Sequence, residues 1–449
     1  MTTRRQFMTS LAAAASMAGV AGAPKFAFGQ TAGGKTFIKV FQRGGADGLH
    51  LFPLHADPFY YMYRPDLGIE APSSDAESAV SLGAGARRGM NPNLVLLKEI
   101  WDSGTMMLAP ATSFTGNNRS HFDCQRWIGT GARNNLIDGY LNRYMQSVPG
   151  PNHPLRGIVA GKTSISTEIG GSIIVPAISQ ATSFNLTNAD LCSGTGCADN
   201  QLTEMMREIS SHEVDLSAVE GRVRDNQLIM LESIQEVQAA GVNYTPSAGG
   251  LNYSNSDLGR GLRLCAQLLK AGVPLEVAAL DWNIGWDTHS DQIATTTNRF
   301  TDQTKGYHRA LTQGATDFLC FFRDMGAAMN NIVVLVGSEF GRTKKQNGST
   351  GTDHGEGGAW FAFGGPTKGG VATDASGIAR DVVSIEDSPS VPRDWLPTVT
   401  SYRDIVAEIM IRHMGMPQNL VQTVFPAAAP GQPAHQFTDL GLFTGNSAV

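Results

Sequence analysis

The sequence predicts an α/β protein with a mostly parallel sheet flanked by helices and a helical insertion. Three observations point there. Short β-branched and aromatic runs recur along the chain, helix-period stretches alternate with them, and polar residues of ligand type follow several strand ends.

Thr36–Gln42 (TFIKVFQ) reads as the first strand and stops at Arg43-Gly44-Gly45. Helical periodicity follows near Asn93–Trp101, then an apolar run at Met106–Ala109 and a helix opening near Ser120. From Asn200 to Val242 the pattern is helical and charged, and Gly249-Gly250 breaks it, so about 195–250 reads as a helical insertion. A second alternating block comprises helix Asp257–Ala271, strand Leu275–Leu280, helix Tyr307–Met329, strand Ile332–Val336 and a strand near Trp360–Phe363. Residues after Phe425 (PAAAPGQPAHQF) form a Pro/Ala-rich irregular tail, about 426–449.

The N-terminus carries Arg4-Arg5 followed by an alanine-rich stretch from Leu11 to Ala23, the layout of a removable twin-arginine export signal. That stretch is too short and too poor in strongly apolar residues to span a bilayer, which takes about 20 of them. Small residues at Ala27-Phe28-Gly29 place cleavage near Gln30, giving a signal over 1–29 and a single domain over 30–449. The expected partner during export is the twin-arginine translocase, and the expected location is periplasmic or secreted. Removal takes away Arg4, Arg5 and Lys25 and no acid, moving the formal charge from −6 to −9. An acidic surface argues against nucleic acid, and no later apolar run is long enough to cross a membrane. Of the five cysteines, Cys192 and Cys197 flank a turn and could close a small disulfide loop. Cys124, Cys265 and Cys320 sit in helix-like sequence as buried apolar fillers.

Candidate chemistry follows the strand ends, where open α/β sheets bind ligands. Strand one runs into Asp47-Gly48-Leu49-His50. Leu275–Leu280 runs into Asp281 and then Asp287-Thr288-His289, and Ile332–Val336 into Ser338-Glu339-Phe340-Gly341-Arg342. A fourth cluster, Asp353-His354, lies in a Gly-rich loop. Carboxylates with histidines suit zinc or manganese, one or two ions. Ser120, preceded by Arg119, sits at a helix start where free N–H groups and the dipole favour an anion; with Asp123 it also reads as a capping box. Gly157–Thr163 is one residue short of a phosphate-binding loop, and Ser338 is misplaced for a nucleophile elbow.

RGGADGLH, NNRSHFDCQ, GWDTHSDQ, SEFGRT and GTDHG, together with the twin-arginine signal, resemble domain-of-unknown-function family 1501. That family is similar to the alkaline phosphatase and sulfatase superfamily. The resemblance implies two divalent metals and a Ser or Thr nucleophile at the carboxyl ends of a parallel sheet. Asp47 then stands for a metal-binding aspartate, Ser120 for the nucleophile, and Asp287, His289 and His354 for ligands of the other metal. Glu339 departs from the superfamily's Asp-His pair. The resemblance implies a hydrolase of small phosphate or sulfate esters. The alternative is a non-catalytic exported binding or structural protein that keeps the fold, retains one metal and works with a secreted partner.

Overall fold

The computed structural model describes residues 34–133, 136–184, 233–373 and 394–445. The expected signal segment 1–29, the Cys192/Cys197 pair and most of the expected helical insertion at about 195–250 lie outside them.

The described residues form a nine-stranded sheet. In chain order its main strands are β1 (Thr36–Gln42), β4 (Met106–Ser113), β5 (Gly157–Ala160), β7 (Val277–Asp281), β8 (Ile332–Ser338) and β9 (Gly358–Phe363). Two-residue strands β6 (Ala177–Ile178), β10 (Gly370–Val371) and β11 (Thr400–Ser401) extend it, and β2 (Val80–Ser81) and β3 (Gly89–Met90) form a separate ribbon. The spatial order is β10-β4-β9-β8-β1-β7-β5-β6, with β11 beside β4. β1 is central and parallel to both β7 and β8.

The sheet is mixed rather than wholly parallel: β9 runs antiparallel to both β8 and β4. No helix intervenes between β8 and β9. Residues 339–357 double back instead, with Gly341 N–H on Glu356 O (2.9 Å) and Thr343 N–H on Asp353 O (2.9 Å). A strand reached without a crossover must return in the opposite direction.

Alternation along the central strands divides the core into two layers. Ile38, Val40, Val334 and Val336 pack under the helices Asp257–Lys270 and Gly306–Met325. Phe37, Phe41, Val333 and Leu335 pack under the helices His121–Thr130, Tyr140–Ser147 and Tyr402–Glu408. Both faces of a mostly parallel sheet are thereby buried, which explains its near-continuous apolar runs. The three cysteines of the described residues, Cys124, Cys265 and Cys320, are buried and free. The tail lies against the second layer through Leu440, Leu442 and Phe443.

This topology brings the segments after β1, β4, β7 and β8 and the segment before β9 to one edge. A cavity of about 410 Å3 lies at the other edge, lined by Lys35, Leu275 and Ile332 near the amino ends of β1, β7 and β8. No helix among the described residues is long and apolar enough to cross a membrane.

Candidate metal centre

Local sequence sets each side chain at the carboxyl edge. Beyond β4, Asn117 Oδ1 accepts from Arg119 N–H (3.2 Å) and Asn118 Oδ1 from Ser120 N–H (3.0 Å). These Asx bonds hold Arg119 at φ +60°, an uncommon conformation for a non-glycine residue. Its carbonyl then accepts from His354 Nδ1 at 2.9 Å. Ser120 caps the helix His121–Thr130, its hydroxyl accepting from Asp123 N–H, so His121 is that helix's first residue. The loop bearing His354 approaches its neighbours through glycine: a Cβ on Gly351 would lie 2.4 Å from the His289 backbone, and one on Gly355 2.4 Å from Arg342 O.

His121, Asp287 and His354 each place a ligand atom within 4.8 Å of the others. His354 Nε2 lies 3.0 Å from His121 Nε2 and 3.0 Å from Asp287 Oδ1, and His121 Nε2 is 3.4 Å from that same oxygen. His289 joins across the Asp287–His354 edge, its Nε2 3.0 Å from His354 Nε2 and 3.1 Å from Asp287 Oδ1.

The other ring nitrogens define the chemistry. His121 Nδ1 lies 2.8 Å from Glu339 Oε1 and His289 Nδ1 2.9 Å from Asp353 Oδ1, while His354 Nδ1 meets the Arg119 carbonyl. All three partners accept hydrogen bonds, so in the neutral rings each Nδ1 carries the hydrogen and each Nε2 an outward lone pair. Three imidazole lone pairs and a carboxylate oxygen therefore converge with no hydrogen between them. Such a cluster suits a divalent cation, whose histidine ligands donate their remote N–H to a carboxylate or carbonyl. Ligands at about 2.0–2.1 Å around a tetrahedral ion stand about 3.3 Å apart, close to these separations.

Burial and hydrogen bonding act differently on each group. Burial pushes the Asp287 carboxyl upward, but opposing effects, led by the hydrogen bond and charge of Arg342, outweigh it and hold its pKa at about 2. Asp287 thus stays ionised. The hydrogen bond to Glu339 raises His121, whereas burial lowers His354. Arg342, 2% exposed, donates to Gly45 O, Thr352 O, Gly44 O, Trp286 O and Asp287 Oδ1. One guanidinium thereby ties the loops after β1 and β7 to the returning loop.

The expected residues are sorted by this geometry. Asp287, His289 and His354 are brought together. Asp353 and Glu339 stand behind His289 and His121, and Glu339 Oε1 also accepts from Gly44 N–H (2.9 Å) and Gln125 Nε2 (3.0 Å). Asp47 is not in the convergent group. Its carboxylate is bound by Arg64 (2.7 and 3.0 Å), by Gln292 Nε2 (2.8 Å) and by the Leu49 and His50 N–H groups it caps. Ser120 adjoins the group as a cap, and the Arg119 guanidinium lies 4.0 Å over the Trp395 ring. The sequence does not single out His121, because the capping signal of the preceding serine dominates NNRSHFD. A histidine at the first helical position after a strand-end loop was the available clue.

Fold and site together define an α/β protein carrying a candidate metal centre at the carboxyl edge of its sheet. The chain belongs to the family described as "Protein of unknown function (DUF1501)", whose model matches residues 107–424. That span contains His121, Asp287, His289, Glu339 and His354 and leaves out Asp47. No curated protein matches the chain in sequence.

Proposed function

We propose that the chain is an exported, metal-dependent hydrolase of phosphate or sulfate esters, built on an alkaline-phosphatase/sulfatase type of fold. The observation that supports this reading is the convergence of three imidazole Nε2 atoms and the Asp287 carboxylate at the carboxyl edge. Nitrogen-rich donors with one carboxylate favour zinc over manganese, and a single cluster among the described residues favours one ion. When bound, a divalent ion supplies positive charge that polarises an ester oxygen and stabilises developing negative charge.

The chain's own residues supply the rest. Ser120 stands where the N–H groups and dipole of the helix His121–Thr130 favour a tetrahedral anion, with Arg119 supplying charge once it turns from the Trp395 ring. Its Oγ attacks phosphorus or sulfur and the bond to the alcohol breaks, the hydroxyl proton leaving with that alcohol. Water then cleaves the serine ester and restores the hydroxyl. Asp287 and His354 stay fixed through Arg342 and the Arg119 carbonyl, so little reorganisation accompanies the charge change.

A second reading has its own support. Ser120 Oγ is engaged as a cap and Arg119 is turned onto Trp395, an arrangement that also suits an exported binding or structural protein holding one ion and meeting a secreted partner. Turnover of an aryl phosphate and an aryl sulfate by zinc-loaded wild type and Ser120→Ala separates the two. The hydrolase reading expects activity that Ser120→Ala abolishes with near-normal folding, since a lost cap costs about 1 kcal/mol. Unchanged turnover in the variant removes Ser120 from the chemistry, and no turnover in the wild type favours the binding protein.

A further inference from the structure

We infer that Gln292 is a positioning residue of the metal centre, setting the separation of the two ligand-bearing turns without touching the ion. The inference rests on the metal reading above. Gln292 is 1% exposed, and it closes the GWDTHSDQ segment five residues beyond Asp287. Its Oε1 accepts from Thr288 Oγ1 at 2.9 Å and from Thr352 Oγ1 at 3.2 Å. Thr288 sits between the ligands Asp287 and His289. Thr352 precedes Asp353, which holds His289, and His354 itself.

The same two residues are joined through the backbone, Thr352 N–H donating to Thr288 O at 2.9 Å. A second bond closes the return, Gln292 N–H donating to Thr350 O at 2.9 Å. One amide therefore bridges both turns at side-chain level, in a region where Thr288, Thr352 and Asp47 are buried. Any displacement of Gln292 moves Asp287 and His354 relative to one another.

The amide has only one usable orientation. Gln292 Nε2 donates to Asp47 Oδ2 at 2.8 Å, and a carboxylate only accepts, so Oε1 must face the two hydroxyls. Asp47 is in turn fixed by the paired bonds from Arg64, which is fully buried and also donates to Thr343 O and Lys344 O. The order Arg64, Asp47, Gln292, Thr288 with Thr352, then Asp287 with His354 runs from the core to the site. It gives the buried aspartate of RGGADGLH a place in the centre's architecture without making it a ligand. Groups behind metal ligands commonly alter ion affinity about tenfold to a hundredfold.

The test is zinc affinity by competition with a chromophoric chelator, alongside the visible absorption of the cobalt-loaded protein. Gln292→Met keeps length and burial but makes none of the three side-chain bonds. It is expected to weaken zinc binding by about tenfold or more and to change the cobalt spectrum, which reports ligand geometry rather than stability. The double variant Thr288→Val, Thr352→Val removes the same link from the other end and decides the matter if Gln292→Met does not fold. Adding Gln292→Met to the pair should produce little further loss of affinity, because one link is broken either way. Wild-type affinity and spectrum in Gln292→Met, or in the threonine pair, overturn the inference alone. A wild type that binds neither zinc nor cobalt overturns it together with the metal reading.

Discussion

His354 Nε2 lies 3.0 Å from Asp287 Oδ1, and neither atom has a hydrogen to give while the Arg119 carbonyl takes the proton of His354 Nδ1. The proposed cation would lie between them. Replacing either residue by Ala should lower the melting temperature in the presence of zinc, by linkage to the lost ion, and the difference should shrink under excess chelator. In the double variant the two zinc-dependent losses should not add, since either change dismantles the same centre. Thermal melts with and without chelator provide the check. Equal destabilisation in both conditions would make the His354 loop structural.

Asp47 should behave in the opposite way. It pairs with Arg64 where both side chains are buried, so Asp47→Ala leaves an uncompensated guanidinium and should cost about 3–5 kcal/mol. Most of that loss should persist under chelator, in contrast to His354→Ala. Denaturant unfolding of the two variants in parallel separates a buried ion pair from a ligand. A loss that vanishes on metal removal would return Asp47 to the ligand set.

These contrasts mark what the sequence made legible. Thr36–Gln42 is readable as a strand to its last residue, because its β-branched and aromatic run ends at two glycines. That the strand-end residues gather is readable, because parallel strands deliver their carboxyl ends to one edge. The direction of β9 is not readable, since it depends on residues 339–357 pairing with themselves rather than crossing the sheet. The partner of Asp47 lies 17 positions on, just beyond the helix Pro58–Tyr63, and no local pattern couples the two. His121 and Glu339 meet across 218 positions, so whether a strand-end carboxylate takes the ion or takes a ligand's N–H is a tertiary outcome.

A pH effect is expected at a group outside the candidate centre. Asp317 is fully buried, and burial raises its pKa from 3.8 to about 6 despite bonds from Ser254 N–H and Oγ (both 2.7 Å) and Ser256 Oγ (3.3 Å). The folded value exceeds the unfolded one. The stabilising contribution is therefore complete below pH 3.8 and is lost as pH rises through 6. Asp317→Asn has no such loss, so its stability relative to wild type should improve by about 2 kcal/mol between pH 4 and 7. Chemical denaturation across that range, under chelator so that ion binding does not contribute, measures the difference. A gap independent of pH would contradict the raised value.

The most direct test of the central claim is the metal content of protein purified without chelator, compared between wild type and His121→Ala. His121 contributes one of the converging nitrogens and owes its position to the NNRSH turn and Glu339. One ion per wild-type chain, largely lost in His121→Ala, is the result expected of a centre built on His121, Asp287 and His354. A wild type without metal, or a His121→Ala protein that keeps a full equivalent, would contradict it.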